Sequence, residues 1–329
     1  MKRREFITLV GGAAAWPLAA RAQQSERVRR IGVLMSGTEN DREMQARLGG
    51  LRQGLSRFGW QEGRNVRLEY RFAAGNAELV QTYAKELVAQ NPELIIAAAT
   101  QLAAALKQET RDIPIVFIGL VDPVGARLID GLARPGGNLT GTLLNEEAIA
   151  GKWLAMLKEF APATERVAIL QHSKLGFFDA SYGPAAQSAA RALGVTLLSA
   201  RFAEATDIEQ SLAAFAQRPN GALLVPPDIA ALAHRDLIIA LAVKHRLPAV
   251  YQAGFWVAAG GLMSYGADRI AAYRQVAYYV DRILRGASPG ELPVQAPTKY
   301  EMTLNLKTAK ALGLAVPPGL LVAADEVIE

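Results

Sequence analysis

From Val28 to Tyr251 the chain alternates short aliphatic runs with longer amphipathic stretches, and this alternation limits the fold more than any other feature. The short runs have the length of buried strands, and the stretches between them carry apolar residues at helical spacing. The first series reads as strand 30–35, helix 41–58, strand 66–72, helix 77–90, strand 94–98, helix 101–109 and strand 115–118. Leu48, Leu51, Leu55 and Phe58 recur at spacings of three and four, which gives helix 41–58 a single apolar face. Gly59 is placed to end that helix. Strands joined by helices predict a parallel sheet covered by helices on both faces.

A second series follows Asn145: helix 152–160, strand 167–170, helix 182–193, strand 195–200, helix 208–216, strand 222–225, helix 232–245 and strand 249–251. The architecture repeats although the sequence does not align with itself, so two similar lobes are expected. The remainder reads as a glycine-flanked strand in 260–266, helix 268–284, a stretch bracketed by Pro289 and Pro293, strand 298–305 and helix 307–312. This last pattern suggests a chain that passes back and forth. The expected first lobe is 28–145 with 256–288, and the second is 146–255 with 289–329. Several crossovers of this kind make a hinge at which two lobes can close.

A chain of 329 residues has room for two such lobes, each with its own core. The 51% hydrophobic content is too high for a disordered chain. Cysteine is absent, which excludes a disulfide framework, a catalytic thiolate and a lipid anchor on an N-terminal cysteine. The first twenty-two residues, MKRREFITLVGGAAAWPLAARA, set Arg3 and Arg4 before an apolar run and end in Ala20-Arg21-Ala22. This is the pattern of a twin-arginine export signal cut after Ala22. The apolar run is too short to span a membrane. The mature protein is therefore expected free in the periplasm, where ATP and NADH are not supplied. Of the formal charge of +5, the signal holds +3 (Lys2, Arg3, Arg4 and Arg21 against Glu5), leaving +2 and no indication of nucleic-acid binding.

Enzyme signatures are missing: there is no G-x-S-x-G elbow, P-loop lysine motif, G-x-G-x-x-G or H-E-x-x-H. His172 stands apart, and His234 and His245, eleven residues apart on one predicted helix, would be about 16 Å apart, too far for one metal. Neither a metal nor a cofactor is expected. What remains is the ends of the strands. In open parallel sheets, ligands bind beyond the carboxyl ends of strands, where helix N-termini present free N–H groups. Ser36 and Gly37 follow the first strand, Thr100 and Gln101 follow the third and open a helix, Asp122 follows strand 115–118, and Pro227-Asp228 follows strand 222–225. Thr100 is a candidate cap for its helix, with neighbouring N–H groups for a ligand carboxylate; Asp228 or Asp122 would hold a ligand ammonium. Read singly, these residues also fit simple caps and turns. Tyr251, Phe255, Trp256 and Tyr265 lie near the expected crossovers and are candidates for stacking on a ligand, with Phe177, Phe178 and Tyr182 as weaker ones; hinge and core packing is the competing role.

Three long segments carry a family resemblance: GLSRFGWQEGRNVRLEY at 54–70, IPIVFIGLVDPVGARLIDGLARPGGNLTG at 113–141 and LPVQAPTKYEMTLNLKTAKALGLAVPPGLLVAADEVIE at 292–329. On these, the chain resembles the ABC-transporter substrate-binding proteins of the type 1 periplasmic binding-protein fold, a group with tryptophan- and tyrosine-binding members. The resemblance covers essentially the whole mature chain. It implies two Rossmann-like lobes with parallel sheets, joined by three crossovers, with a small molecule bound between them. By similarity the ligand-facing positions are Ser36, Thr100 and Gln101, Asp122, the stretch around Thr142, Pro227-Asp228 and Tyr251; Gln101 stands where many relatives have proline. The implied partners are a small-molecule ligand, with amino acids or related compounds as one class, and an inner-membrane ABC permease with its cytoplasmic ATPase. The implied protein is a monomer. A secreted hydrolase-type enzyme with paired carboxylates and a ligand-sensing module of a regulator are the competing classes; the export signal and the absence of an N-terminal DNA-binding helix pair speak against the second.

Overall fold

The computed structural model describes residues 28–173 and 178–329. The expected export signal and Phe177 lie outside the described residues. Two compact units divide the chain. The first comprises residues up to Ile118, Leu128–Gly141 and Tyr273–Pro293; the second comprises Gly119–Arg127, Thr142–Ala272 and Val294–Glu329.

The five-stranded sheet is built from β1 (Arg29–Met35), β2 (Val66–Phe72), β3 (Leu94–Ala98), β4 (Ile115–Leu120) and β5 (Leu139–Leu143), in the order β2-β1-β3-β4-β5. β1 runs parallel to β2 and β3, and β3 parallel to β4. β1, β3 and β4 are buried along nearly their whole length, as aliphatic strands covered on both faces must be. The covering helices are α1 (Arg42–Arg57), α2 (Ala77–Ala89) and α3 (Thr100–Glu109). Asp41 starts α1 by accepting from the Met44 N–H at 2.9 Å, and Asn76 starts α2 by accepting from the Glu78 and Leu79 N–H groups.

The close fit of α1 against the later helix α11 (Arg269–Leu284) depends on one glycine. A Cβ at Gly54 would lie 2.5 Å from the Arg274 carbonyl oxygen and 2.8 Å from the Ala277 Cβ. Gly54→Ala is expected to cost about 1–3 kcal/mol through this overpacking. At Gly49 on the same helix a Cβ would meet nothing within 4 Å. Gly49→Ala is therefore expected to be neutral or stabilising, since alanine is the better helix former by up to about 1 kcal/mol. Thermal melts of the two variants side by side separate packing from propensity.

The second unit holds β6 (Arg166–His172), β7 (Thr196–Phe202), β8 (Gly221–Val225), β9 (Ala249–Tyr251), β10 (Met263–Ala267), β11 (Tyr300–Asn305) and β12 (Glu326–Ile328). They form one sheet in the order β12-β11-β10-β9-β8-β6-β7, parallel throughout except for the antiparallel pair β10–β11. Helices α4 (Ile149–Phe160), α5 (Phe178–Ser181), α6 (Gly183–Leu193), α7 (Ala205–Ala216), α8 (Ile229–Ala233), α9 (Arg235–Lys244), α10 (Gly254–Ala258), α12 (Leu306–Leu312) and α13 (Pro318–Ala323) connect the strands. Two hydrophobic layers result. Trp153, Leu157, Phe178 and Met302 belong to one; Ile208, Leu212, Ile238 and Trp256 belong to the other.

Three expectations need correction. Residues 256–272, expected in the first lobe, belong to the second unit, because β10 pairs with β9 and β11 in the seven-stranded sheet. The chain re-enters the first unit within α11, at Ala272–Tyr273, and 289–293 stay with it. Residues 119–127 and 142–145 also belong to the second unit: the Leu144 N–H bonds the Leu120 carbonyl, and the Leu143 N–H bonds that of Gln295. Second, the helix expected over 232–245 is two helices broken at His234, whose backbone leaves helical geometry at φ −108° and ψ 21°. Third, not every pairing is parallel, since β11 enters from the chain's last crossing and runs against β10.

Candidate functional site

In the first unit, the ends of β1 and β2 are tied together by main chain: the Ser36 carbonyl accepts from the Gly75 N–H at 2.9 Å, and that of Gly37 from the Ala74 N–H at 3.1 Å. Thr100 is the first residue of α3 and not its cap. Ala99 holds the N-cap position in an extended conformation and contributes no side-chain cap bond. Gln101, on the first turn, is exposed. The α3 N-terminus thus lies at the carboxyl end of β3 with polar side chains on its first turn.

In the second unit the candidates divide into those that face solvent and those the fold consumes. Asp122 is exposed, in a left-handed turn at φ 38°, and accepts from the Gly125 N–H at 2.7 Å. Thr142 is fully buried, and its hydroxyl accepts from the Gly119 N–H at 3.3 Å, so it fastens one chain segment to another. Pro227 is buried. Asp228 is 8% exposed, and its carboxylate accepts three backbone N–H groups: Ala230 at 2.8 Å, Ala231 at 3.2 Å and His172 at 2.8 Å. It caps α8 and pins the end of β6 to it. Asp228→Ala is expected to cost about 1–3 kcal/mol, the penalty of leaving buried donors unmatched, and a denaturant titration reads that loss directly.

The aromatic candidates separate in the same way. Tyr251 is 1% exposed and stacked on Trp256 at 5.0 Å, inside the core. Phe178 and Tyr182 are buried as well, against each other at 5.8 Å. Tyr265 is half-buried, stacked on Tyr300 at 5.6 Å with the Lys152 ammonium 5.8 Å from its ring; burial raises the phenol pKa of both tyrosines. His172 and His234, distant in sequence, both pack edge-on against Phe202, at 5.4 and 6.1 Å. Among the described residues no cluster of histidine, aspartate and glutamate suits a metal ion.

Sequence reasoning missed the polar group at the carboxyl ends of β9 and β10. Gln252, 7% exposed, follows β9; Asp268 and Arg269 follow β10; and the Arg269 guanidinium donates to Gln252 Oε1. The Phe255 ring lies 6.0 Å from the same guanidinium. Asn145, 6% exposed, accepts from the Ala267 N–H at 3.3 Å. Burial alone would push the Asp268 carboxyl up, but the Ala271 N–H and the Lys299 ammonium at 3.1 Å outweigh it and hold its pKa below the ordinary value. The available signal was position: a polar pair directly after a strand and at a helix start. This is the same signal that singled out Asp122 and Asp228.

A family model described as ABC transporter substrate binding protein matches residues 31–328. The chain is 24% identical over 274 residues to a tyrosine-binding protein of Clostridioides difficile (strain R20291), across 80% of this chain and 76% of that one. It superposes on the crystal structure of a conserved domain protein from Vibrio cholerae with a TM-score of 0.81 at 27% identity, covering 92% of this chain and 100% of the other. A second crystal structure, an ABC domain from Streptococcus pneumonia in complex with L-Trp, gives a TM-score of 0.82 at 24% identity with the same coverage.

Proposed function

Because the chain belongs to the ABC transporter substrate-binding protein family and has the type 1 periplasmic binding-protein fold, we propose that it is the periplasmic receptor of an ABC importer. It captures a small molecule, of the amino-acid class or a related one, and delivers it to an inner-membrane permease driven by a cytoplasmic ATPase. Export would follow cleavage after Ala22, and the receptor would act as a monomer. The observation that carries this reading is the extent of the family match, 31–328, which takes in the strand-end loops of both units. Those loops are the proposed ligand contacts: Ser36, Gly37, Thr100 and Gln101 in the first unit, Asp122, Gln252, Tyr265 and Arg269 in the second. The amino-acid class is supported by the tyrosine-binding relative. Asp228 and Thr142 support the loops from beneath.

A thermal-shift panel of amino acids, small carboxylates, nucleosides and sugars on the purified mature chain tests the reading. A ligand at 100 times its dissociation constant adds about 2.7 kcal/mol of stability, a shift of several degrees. A clear shift from one chemical class supports the receptor function. A flat panel, together with no small molecule retained from expression by mass spectrometry, refutes it.

A further inference from the structure

We propose that the first unit carries a binding site separate from the strand-end loops, and that this site takes a phosphate monoester with a flat aromatic body. A cavity of about 760 Å³ opens where β1 begins and where α1 and α11 end; Arg29, Phe58, Gly59, Trp60, Leu284 and Arg285 line it. That volume lies in the range of small-molecule sites. All of these residues belong to one unit. Ser36 and Gly37 follow the far end of β1, about 20 Å away. Segment 54–70, one of the three that carry the family resemblance, forms one wall of the cavity and supplies none of the ligand contacts proposed above.

The walls are fixed by the fold itself. Asp281, 6% exposed, accepts from the Trp60 indole N–H at 2.9 Å and from the Arg285 Nε–H at 2.7 Å, so one buried carboxylate positions two lining side chains. Asn65 braces the loop 58–65: its amide donates to the Gly59 carbonyl at 2.9 Å and accepts from the Gln61 N–H at 2.7 Å. The indole and the Asn65 amide are thus engaged, and the spare donors belong to the two guanidiniums. Arg285 holds Asp281 through Nε and reaches the Phe58 carbonyl only at 3.5 Å; Arg29 meets Glu93 through Nη1 at 3.4 Å. Each guanidinium carries five N–H donors in a fork that matches phosphate oxygens. The carboxylates here already have cations: Asp281 has Arg285, Glu93 has Arg29 and Glu62 has Arg52. Arg57, ending α1, and Arg282, in the last turn of α11, are exposed, and among the described residues neither is paired with a carboxylate, so positive charge is in surplus. Phe58 is 38% exposed and Trp60 half-buried, which leaves aromatic surface for a flat group to stack on.

The test is calorimetric titration of the mature chain with phenyl phosphate and AMP, each beside its dephosphorylated counterpart (phenol, adenosine), and with inorganic phosphate. The expected result is an ester that binds about 10- to 100-fold more tightly than its counterpart, the range of a hydrogen bond to a charged group, and more tightly than inorganic phosphate. Arg29→Gln and Arg285→Gln should each remove most of that preference and leave the thermal-shift panel unchanged. Trp153 and Trp256 are fully buried, so the bound ester should protect Trp60 from iodide quenching, a signal that Trp60→Phe deletes. If Arg285→Gln does not fold because Asp281 has lost a partner, Arg29→Gln decides alone. No ester binding, equal binding of ester and dephosphorylated compound, inorganic phosphate bound as tightly as the esters, binding without protection of Trp60, or unchanged ester affinity in the arginine variants overturns the inference. The cavity and the strand-end loops share no residue, so each of those results leaves the receptor reading standing, and a flat solute panel leaves this inference standing.

Discussion

Trp153→Ala is expected to destabilise the second unit by about 3–5 kcal/mol, the range for removing a fully enclosed large aromatic side chain. Trp153 is completely buried on α4. Its indole N–H donates to the Tyr265 carbonyl at 2.6 Å, and its ring meets Tyr182 edge-on at 5.6 Å. One side chain thus locks α4 to β10 by packing and by a hydrogen bond that continues the strand's own pattern. Trp153→Phe separates the two contributions: it keeps an aromatic body in the cavity but leaves the Tyr265 carbonyl without its donor, for an expected loss of about 1–3 kcal/mol. Because domain stability is only about 5–15 kcal/mol, the alanine variant should show a melting transition at clearly lower temperature or denaturant concentration. A change of less than 1 kcal/mol would mean that α4 is held by its aliphatic contacts alone.

The elements that were legible in the sequence share one property. β2, β3 and β9 have the expected bounds, and β1, β8, α1 and α2 start or end within a residue of them, because each carries a regular local pattern bounded by polar turns: an aliphatic run in the covered strands, apolar–polar alternation at the start of the edge strand β2, and helical spacing in α1 and α2. β5 was not legible. Leu-Thr-Gly-Thr-Leu follows Pro-Gly-Gly-Asn and has the composition of a turn. Its pairing beside β4 depends on Gly141, where a Cβ would stand 2.0 Å from the Phe117 carbonyl oxygen, and no local pattern announces a partner some twenty residues away. The break at His234 was hidden for a related reason. Apolar runs flank the break on both sides, and what stops α8 is the backbone of His234, which leaves helical geometry while its N–H returns to the Ala231 and Leu232 carbonyls.

The candidate site was legible as positions and not as roles. Strand ends are readable because the strands are, so Ser36, Thr100, Asp122 and Asp228 were found where loops begin. Whether a carboxylate faces solvent or serves the main chain depends on which donors the fold brings to it. Asp228 receives the His172 N–H from β6, fifty-six residues away in sequence. Gln252 and Arg269 show the reverse case: neither belongs to a motif, and their significance arises only once β9 and β10 lie side by side.

The second large effect is expected at Tyr251, and it decides between the two roles an aromatic residue can have at a strand end. Tyr251→Ala should cost about 3–5 kcal/mol of stability. The ring is enclosed between the Trp256 indole, 5.0 Å away and within 14° of parallel, and the backbone at Gly261, where a Cβ would lie 2.6 Å from the tyrosine Cε2. Burial also raises its phenol pKa, because an ionised oxygen would lose its hydration there. Tyr251→Phe keeps the stacked ring and should leave the fold nearly intact. If Tyr251 acts only through the core, Tyr251→Phe will bind the compound selected by the thermal-shift panel as the unaltered protein does, and Tyr251→Ala will lose stability first. If Tyr251→Phe instead loses ligand affinity at unchanged melting temperature, the hydroxyl reaches the ligand and the stack beneath Phe255 is part of the binding surface. Stability and affinity measured on the same pair of variants therefore place Tyr251 either beneath the binding surface or within it.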